Sequence, residues 1–369
     1  MQDELTIGLV LPVSSVLPIA KDFEKGLKSG LGDYFNRVEI VREYIGNGDL
    51  KLTTEAVQKL ITYDDADLIV GVLNNKVVNG LASKFVNKKT VLFVNNLGAI
   101  WPNSDDLNAN ILTNTMQAWE QVWALSHWAT KKFGPRGMMV TGTFDAGFSF
   151  ASAFDQGMLE AREDTSWSFA VAPAPMAQQG ELAEVQKVIP KIKENAPDFL
   201  FAAFCGEEAR QFLELYTKEG LSESTPLIAL PYLLETTHQN FENPIKIYSV
   251  KSASKEAHQD YKNPVLWKSS FYQLGNEAGQ IIARALSENI DFKELRNMEH
   301  QVERGLLTLD PLKVNNLNMF LSEVSHHGDS IHLSATYEEE LSSISLNHPN
   351  ISRLSKEASS NWFNPYLAL

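Results

Sequence analysis

Cysteine is almost absent. The single thiol, Cys205, excludes an intramolecular disulfide. It lies in the apolar run 199–205, which marks it as a packed core residue rather than a nucleophile. A chain of 369 residues can bury a large core without cross-links, so the shortage of cysteine leaves the redox compartment open. No run of about 20 apolar residues occurs, and no segment is expected to span a membrane. The first residues, Met1-Gln2-Asp3-Glu4, lack the basic and apolar regions of a secretory signal. That fits either a cytosolic chain or one whose signal has been removed. Basic residues are in deficit, with 32 Lys and Arg against 46 Asp and Glu and a net charge of −14. This excess of acid argues against a nucleic-acid or anionic-membrane partner, both of which need a concentrated basic surface. It is read as a device for solubility.

Catalytic signatures are missing as well. There is no G-x-S-x-G elbow, P-loop, G-x-G-x-x-G or H-E-x-x-H. The segment after the first strand-like run, Leu11-Pro12-Val13-Ser14-Ser15-Val16, holds no glycine, which argues against a dinucleotide. His326-His327 and His332 form the one histidine cluster. Adjacent histidines on a strand point to opposite faces, and with Gly328-Asp329 they read as a solvated turn. The acid pairs Asp64-Asp65, Asp105-Asp106 and Glu207-Glu208 sit in loops or at helix starts, where the dipole favours them. Glu338–Glu340 reads as a charged helix start. No nucleophile and base can be paired, so neither an enzyme nor a cofactor or metal is expected.

What is present is an alternation of strand and helix signals. Leu5–Leu11, Val38–Ile45, Leu68–Leu73 and Val91–Val94 are short apolar runs. Between them, Ile19–Phe35, Leu52–Tyr63 (with Thr53 or Thr54 as cap) and Val77–Val86 carry helical spacing. After Ile111–Thr115 the pattern restarts. Helices are expected at Trp119–Phe133, Phe150–Arg162, Leu182–Glu194 and Glu207–Glu219. Strands are expected at Gly137–Thr141, Trp167–Val171, Phe199–Phe204, Pro226–Leu230 and Ile245–Val250. A long helix near Leu266–Ser287 and a shorter one over Phe292–Glu303 precede strands at Leu306–Leu309, Lys313–Val314, Met319–Val324 and Ile331–Leu333. In the tail, Ser342–Leu369, the aromatics Trp362, Phe363 and Tyr366 suggest docking on the body. The alternation predicts an α/β protein with doubly wound parallel sheets.

In such sheets ligands lie beyond the carboxyl ends of the strands. In the first half those ends carry Pro12–Val16 with Ser14 and Ser15, then Asn74-Asn75, then Asn95-Asn96-Leu97-Gly98. In the second they carry Gly142–Phe148, Phe204–Glu207 and Pro231-Tyr232. Amides and hydroxyls dominate the first set and aromatics the second. The first suits a carboxylate or carbonyl, and the second covers an apolar body. Asn and Ser at such points also serve as plain turn formers and caps.

The order of these elements resembles the type I periplasmic binding proteins, closest to the branched-chain amino-acid and short-amide binding group. The likeness is carried by Ile7–Pro12, Asp67–Asn75, Thr90–Ala99, Asp145–Phe148 before a helix with Gln156-Gly157, Ala196–Phe204, and the helix ending at Leu286. It covers about the first 320 residues. The family implies two lobes joined by three crossovers, a Venus flytrap, with a small-molecule ligand in the cleft. It also implies a periplasmic location, a cleaved signal and delivery to an ABC transporter permease. The expected lobes are 1–115 with 251–315, and 116–250 with 316–369, with hinge strands near Thr113–Met116, Val250–Ser252 and Val314–Asn318.

By position, Asn75 and Asn96, Leu97 and Gly98 match the family's first-lobe contacts, with asparagine in place of serine and threonine. Phe144, Asp145 and Phe148 bracket the place of a family tyrosine, where Ala146 stands. Phe204 and Tyr232 fall near further contacts. Amino-acid binders carry an acid near Tyr232. Here Glu235 comes several residues later, so Asp145 or Glu207 would have to meet an ammonium. The alternative to a transporter component is a ligand-sensing regulator or receptor domain of the same fold.

Overall fold

The protein was analysed as a computed structural model that describes residues 5–14, 16–86, 88–100, 110–143, 146, 149–174, 182–233, 245–252, 269–311, 319–326 and 336–341. The apolar runs of the first part form β1 (Leu5–Leu11), β2 (Val38–Tyr44), β3 (Leu68–Val72), β4 (Val91–Asn96) and β5 (Ile111–Thr115). They pair in parallel in the order β2-β1-β3-β4-β5. β3 and β4 are buried along their whole length, as strands covered on both faces must be. The crossovers are α1 (Ile19–Leu31), α2 (Leu50–Thr62) and α3 (Asn75–Leu81). α1 ends before Phe35 because Gly32 turns the backbone to φ +54°. α2 starts at Leu50 because Asp49, not a threonine, accepts from Leu52 N at 2.9 Å. Thr53 and Thr54 instead return their hydroxyls to the carbonyls of Asp49 and Leu50 at 2.6 Å.

The second run of elements is α4 (Ala118–Phe133), β6 (Arg136–Gly142), α5 (Phe150–Ala161), β7 (Ser166–Ala172), α6 (Ile189–Asn195), β8 (Phe199–Ala203), α7 (Gly206–Lys218), α8 (Leu221–Ser224), β9 (Leu227–Ala229) and β10 (Ile245–Ser252). β10-β9-β8-β6-β7 are parallel. Two antiparallel strands, β13 (Met319–His326) and β14 (Thr336–Leu341), extend the sheet beyond β10. Two expectations change here. Glu338–Glu340 lie in β14 and do not start a helix. The helix expected over 182–194 is a short 3-10 turn followed by α6, with Pro190 in its first turn, where a missing N–H does no harm.

The chain then contributes α9 (Ser270–Glu288) and an antiparallel hairpin of β11 (Glu299–Val302) and β12 (Gly305–Thr308). The helix expected over Phe292–Glu303 is therefore corrected to a strand at its end. His300 and Val302 are buried and Glu299 and Gln301 exposed, a period of two rather than 3.6. Gly305, at φ +118°, follows the turn.

The molecule has two α/β lobes with doubly wound sheets. Among the described residues the first unit takes 5–117 and 269–311, and the second 118–252 and 319–341. His326, expected in a solvated turn with His327 and Gly328-Asp329, is instead the last residue of β13; the rest of that turn, His332, the expected strands at Lys313–Val314 and Ile331–Leu333 and the tail lie outside the described residues. No helix among the described residues is long and apolar enough to cross a membrane.

Two devices hold the later segment of the first unit to the earlier one. α1 and α9 approach so closely that glycine is the only residue that fits at the crossing. A Cβ on Gly26 or Gly30 would lie 2.0 Å from the carbonyl oxygens of Tyr272 and Asn276. One on Gly275 would lie 2.1 Å from that of Phe23, and one on Gly279 2.5 Å from that of Leu27. At the start of α9, Ser269 Oγ donates to Asp22 Oδ2 at 2.7 Å. The second device is a buried ion pair. Arg304, after β11, donates through Nε and Nη2 to Glu277 on α9 at 2.8 and 2.6 Å. Its remaining donors reach Thr115 O at 2.8 Å and Asn114 Oδ1 at 2.7 Å. Both charged side chains are 1% exposed.

Gly275→Ala is expected to cost about 1–3 kcal/mol or more, because backbone rather than a flexible side chain must yield. The exposed control Ser29→Ala should stay within about 0.5 kcal/mol; urea denaturation of both distinguishes a close crossing from a loose one. Arg304→Met leaves Glu277 buried and uncompensated and should cost about 3–5 kcal/mol. Adding Glu277→Leu should restore much of that loss in the same measurement.

Candidate functional site

Strand order reverses between β1 and β3, since β1 is flanked by β2 on one side and β3 on the other. Crossovers leave in opposite directions there, which opens a crevice at the carboxyl ends of the strands. Segments 12–14 and 73–75 flank that point, and the end of β4 follows.

The polar residues on this edge divide by what they bond. Ser14 Oγ accepts from Val16 N at 3.1 Å and Leu17 N at 3.2 Å, so it closes its own turn. Asn74 caps α3, its Oδ1 accepting from Val77 N at 2.9 Å. Both do the work of turn formers and caps. Ser15 lies outside the described residues.

Asn75 and Asn96 act differently. Asn96 Nδ2 donates to Asn75 Oδ1 at 2.9 Å and to Leu73 O at 3.0 Å, and Asn75 Nδ2 donates to Ile100 O at 3.0 Å. The two amides thus join the ends of β3 and β4 to the loop after β4. Asn96 is 1% exposed, yet its Oδ1 has no hydrogen-bond partner among the described residues. A buried acceptor left open on the edge where such sheets take their ligands is a candidate place for a donor. Asn95 and Asn96 stand inside β4, which runs two residues beyond the expected end at Val94. Leu97 is buried. Gly98 adopts φ +71° and sits where a Cβ would meet Thr115 Oγ1 at 2.5 Å and Gln117 N at 2.9 Å. No other residue fits that conformation in that space.

Lys76, the second residue of α3, was not singled out from the sequence. Its Nζ is buried and has no hydrogen-bond partner among the described residues, and burial pushes its ammonium below the ordinary lysine range. One signal was available: a cation in the first turn of a helix stands against the dipole.

On the edge of the second sheet, Phe204 is fully buried and stacks on Phe212 with centroids 5.0 Å apart, inside the core of that unit. Tyr232 lies in the 3-10 turn Pro231–Leu233 and stacks on Phe150 at 6.3 Å. Phe144, Asp145, Phe148 and Glu235 lie outside the described residues.

Glu207 and Glu208, alike in sequence, separate in space. Glu207 is exposed and paired with Arg210, whose Nε donates to it at 2.7 Å. Glu208 is buried, and its Oε1 accepts from Ala183 N at 2.7 Å. Its other oxygen lies where a Cβ on Gly142, at the end of β6, would fall within 2.5 Å. Burial pushes its carboxyl up despite that backbone donor. Dipole preference explains both acids equally and so could not tell them apart.

The comparisons agree with this architecture. A substrate-binding protein of an ABC transporter from Sphaerobacter thermophilus shares 18% identity at a TM-score of 0.67, over 92% of this chain and 96% of that one. A solute-binding protein of an ABC transporter from R. palustris, in complex with benzoate, shares 18% at 0.68, over 92% and 97%. A branched-chain amino acid transporter substrate-binding protein from Streptococcus pneumoniae, in complex with isoleucine, shares 12% at 0.62, over 93% and 100%. Among curated proteins there is no match. The sequence profile of the periplasmic binding proteins matches residues 4–285, and the chain belongs to that family.

Proposed function

We propose that this protein is the extracytoplasmic solute-binding component of an ABC transporter. It takes a small polar solute that carries a carboxylate or related amide, closes on it by a hinge, and delivers it to a permease. The observation that carries the reading is the Asn75–Asn96 pair, with its open buried acceptor, beside the switch point of a periplasmic-binding-protein sheet. Benzoate and isoleucine, held by two proteins of similar fold, differ in body and in charge but share a carboxylate. An amide edge facing such a group gives orientation without demanding one particular body, which is how polar groups act in small-molecule sites.

A thermal-shift and calorimetry panel of benzoate, 4-hydroxybenzoate, aliphatic amino acids, short amides and urea tests the reading. A true solute at 100 times its Kd should stabilise the protein by about 2.7 kcal/mol. Small-angle scattering should then show a smaller radius of gyration with that solute. Binding without compaction removes the hinge, and no stabilisation by any member removes the solute-binding reading.

Two substitutions separate site from scaffold. Asn75→Ala should weaken binding by about tenfold or more, or roughly 1.4 kcal/mol, with a modest effect on folding. Asn74→Ala should cost about 1 kcal/mol of stability through the lost cap and leave the affinity within about threefold.

A further inference from the structure

We infer that the outer edge of β7 pairs with the same edge of a second copy of this chain, so that the protein forms a weak homodimer through its second sheet. β7 (Ser166–Ala172) is the last strand of that sheet and pairs in parallel with β6 along its whole length without a bulge. One bond fixes which of its backbone groups face outward. Ser166 N donates to Pro135 O at 3.0 Å, toward the head of β6. In a parallel strand alternate residues turn both N–H and C=O to the same side. Ser166, Ser168, Ala170 and Ala172 therefore serve β6. Trp167, Phe169 and Val171 offer their donors and acceptors to the outside, and no backbone bond joins these three to another segment among the described residues.

An open edge is a template for another strand, and folded proteins blunt it with charge, proline or a covering segment. The other edges follow that rule. β2 carries Glu39, Arg42 and Glu43, and β14 carries Glu338, Glu339 and Glu340. β5 is covered where Thr113 N donates to Leu309 O at 2.9 Å. β7 has none of these devices. It reads Ser-Trp-Ser-Phe-Ala-Val-Ala, and Phe169 at its centre is 41% exposed.

Two features select a second copy as the occupant. The first is charge. A two-fold contact sets a patch against itself, so a charge near the axis meets its like. On a chain of net charge −14 most surfaces oppose such a contact. β7 carries no charge to oppose it. Just before the strand, Arg162 and Asp164 neutralise each other at 2.7 Å, and the two copies of Glu163 would stand at opposite ends of the paired strands. The second feature is the donor pattern. Antiparallel pairing about an axis through Phe169 sets Trp167 against Val171 and Phe169 against its own copy. Each such pair exchanges both its hydrogen bonds, so every outward group is met. The side chains of these pairs share one face of the sheet, which brings Trp167 onto Val171 and the two Phe169 rings together. They extend a row in which Trp167 already lies 5.6 Å from Phe154 and 6.2 Å from Phe169, centroid to centroid. One strand pair about 23 Å long falls short of the roughly 800 Å² per partner of a standard interface. The dimer should therefore be reversible, with a Kd of about 1–100 µM.

Sedimentation velocity on the full chain over about 1–500 µM tests this, and the wild type should pass from monomer to dimer across that range. Phe169→Lys sets two ammonium groups together on the axis. Val171→Pro removes an outward N–H and leaves the ladder to β6 intact. Each should weaken the dimer by about tenfold or more while keeping the wild-type circular dichroism. Tyr44→Lys, at an exposed position on β2, should leave the dimer unchanged. Phe169→Cys reads the geometry directly. Residues paired on the axis stand about 5.5 Å apart between Cα atoms, within reach of a disulfide, so mild oxidation should link the two copies. Tyr44→Cys, more exposed at 59%, should not link, and the native Cys205 is buried. A wild type that stays monomeric throughout the range overturns the inference and leaves the edge to a strand of another protein. A dimer that survives both Phe169→Lys and Val171→Pro, or one in which Tyr44→Cys links as readily as Phe169→Cys, overturns it as well.

Discussion

The Arg304–Glu277 pair fixes the frame on which the first-lobe edge is built. The two side chains come from segments far away in sequence from the strand they support: Glu277 is 163 residues and Arg304 190 residues from Asn114, and Arg304 reaches both Asn114 and Thr115 at the end of β5. Burial of an ion pair is not by itself stabilising relative to an apolar replacement. What this pair provides is a register. Each carboxylate oxygen of Glu277 takes a guanidinium N–H, and the remaining guanidinium contacts fall on β5. Sliding α9 or the hairpin by one residue would strand a charge in the core. The glycine crossing of α1 and α9 acts in the same sense, because backbones in direct contact allow few alternative settings.

From that frame the order passes to the proposed ligand edge through amides. Asn114 Nδ2 donates to Asn95 Oδ1 at 3.3 Å. Asn95 is the strand neighbour of Asn96, and Asn96 O accepts from Met116 N at 3.0 Å. Asparagine suits this task because it offers donor and acceptor from one planar group. A serine or threonine would supply one hydroxyl and could not bridge Leu73 O and Asn75 at once as Asn96 does. The edge is therefore held before any solute arrives, and Asn96 Oδ1 on it has no hydrogen-bond partner among the described residues. Preorganisation of this kind lowers the ordering cost of binding.

Much of this fold was legible in the sequence because apolar periodicity reports burial, and burial is nearly complete along β1, β3, β4, β6 and β8. The family resemblance and the positions of Asn75, Asn96 and Gly98 at strand ends follow from the same signal. Some of what was misread depended on contacts remote in sequence, and some on which of several local caps was used. The stretch 292–303 carries apolar residues at mixed spacing, and only pairing with β12 makes it a strand. The glycines of α1 and α9 look like weak points in two separate helices until the helices meet. The capping role of Asp49 was hidden by the threonines behind it. Ser14 and Asn74 have the same residue chemistry as Asn75 and Asn96, and their different tasks are set by which backbone N–H lies within reach. Lys76 and Glu208 are ordinary charged residues in sequence. Only burial gives them meaning.

The passage out of the first unit connects this rigidity to the proposed closure. Thr113 N donates to Leu309 O at 2.9 Å, Thr115 O is held by Arg304, and Gln117 N donates to Thr115 Oγ1 at 3.2 Å. Gln117 takes φ +54°, a setting that a side chain other than glycine adopts only when its surroundings impose it. Thr113–Met116, the stretch expected from sequence to flex, is thus tied at every other residue to the sheet, the hairpin or its own turn. Rotation in a hinge concentrates where φ and ψ are least constrained. The first described place where these ties end is beyond Gln117, as the chain enters α4. The proposed ligand contacts at Asn96 and Gly98 and the start of the proposed hinge then lie in the same unit, so a solute seated on the edge would not first have to order the strand it sits on.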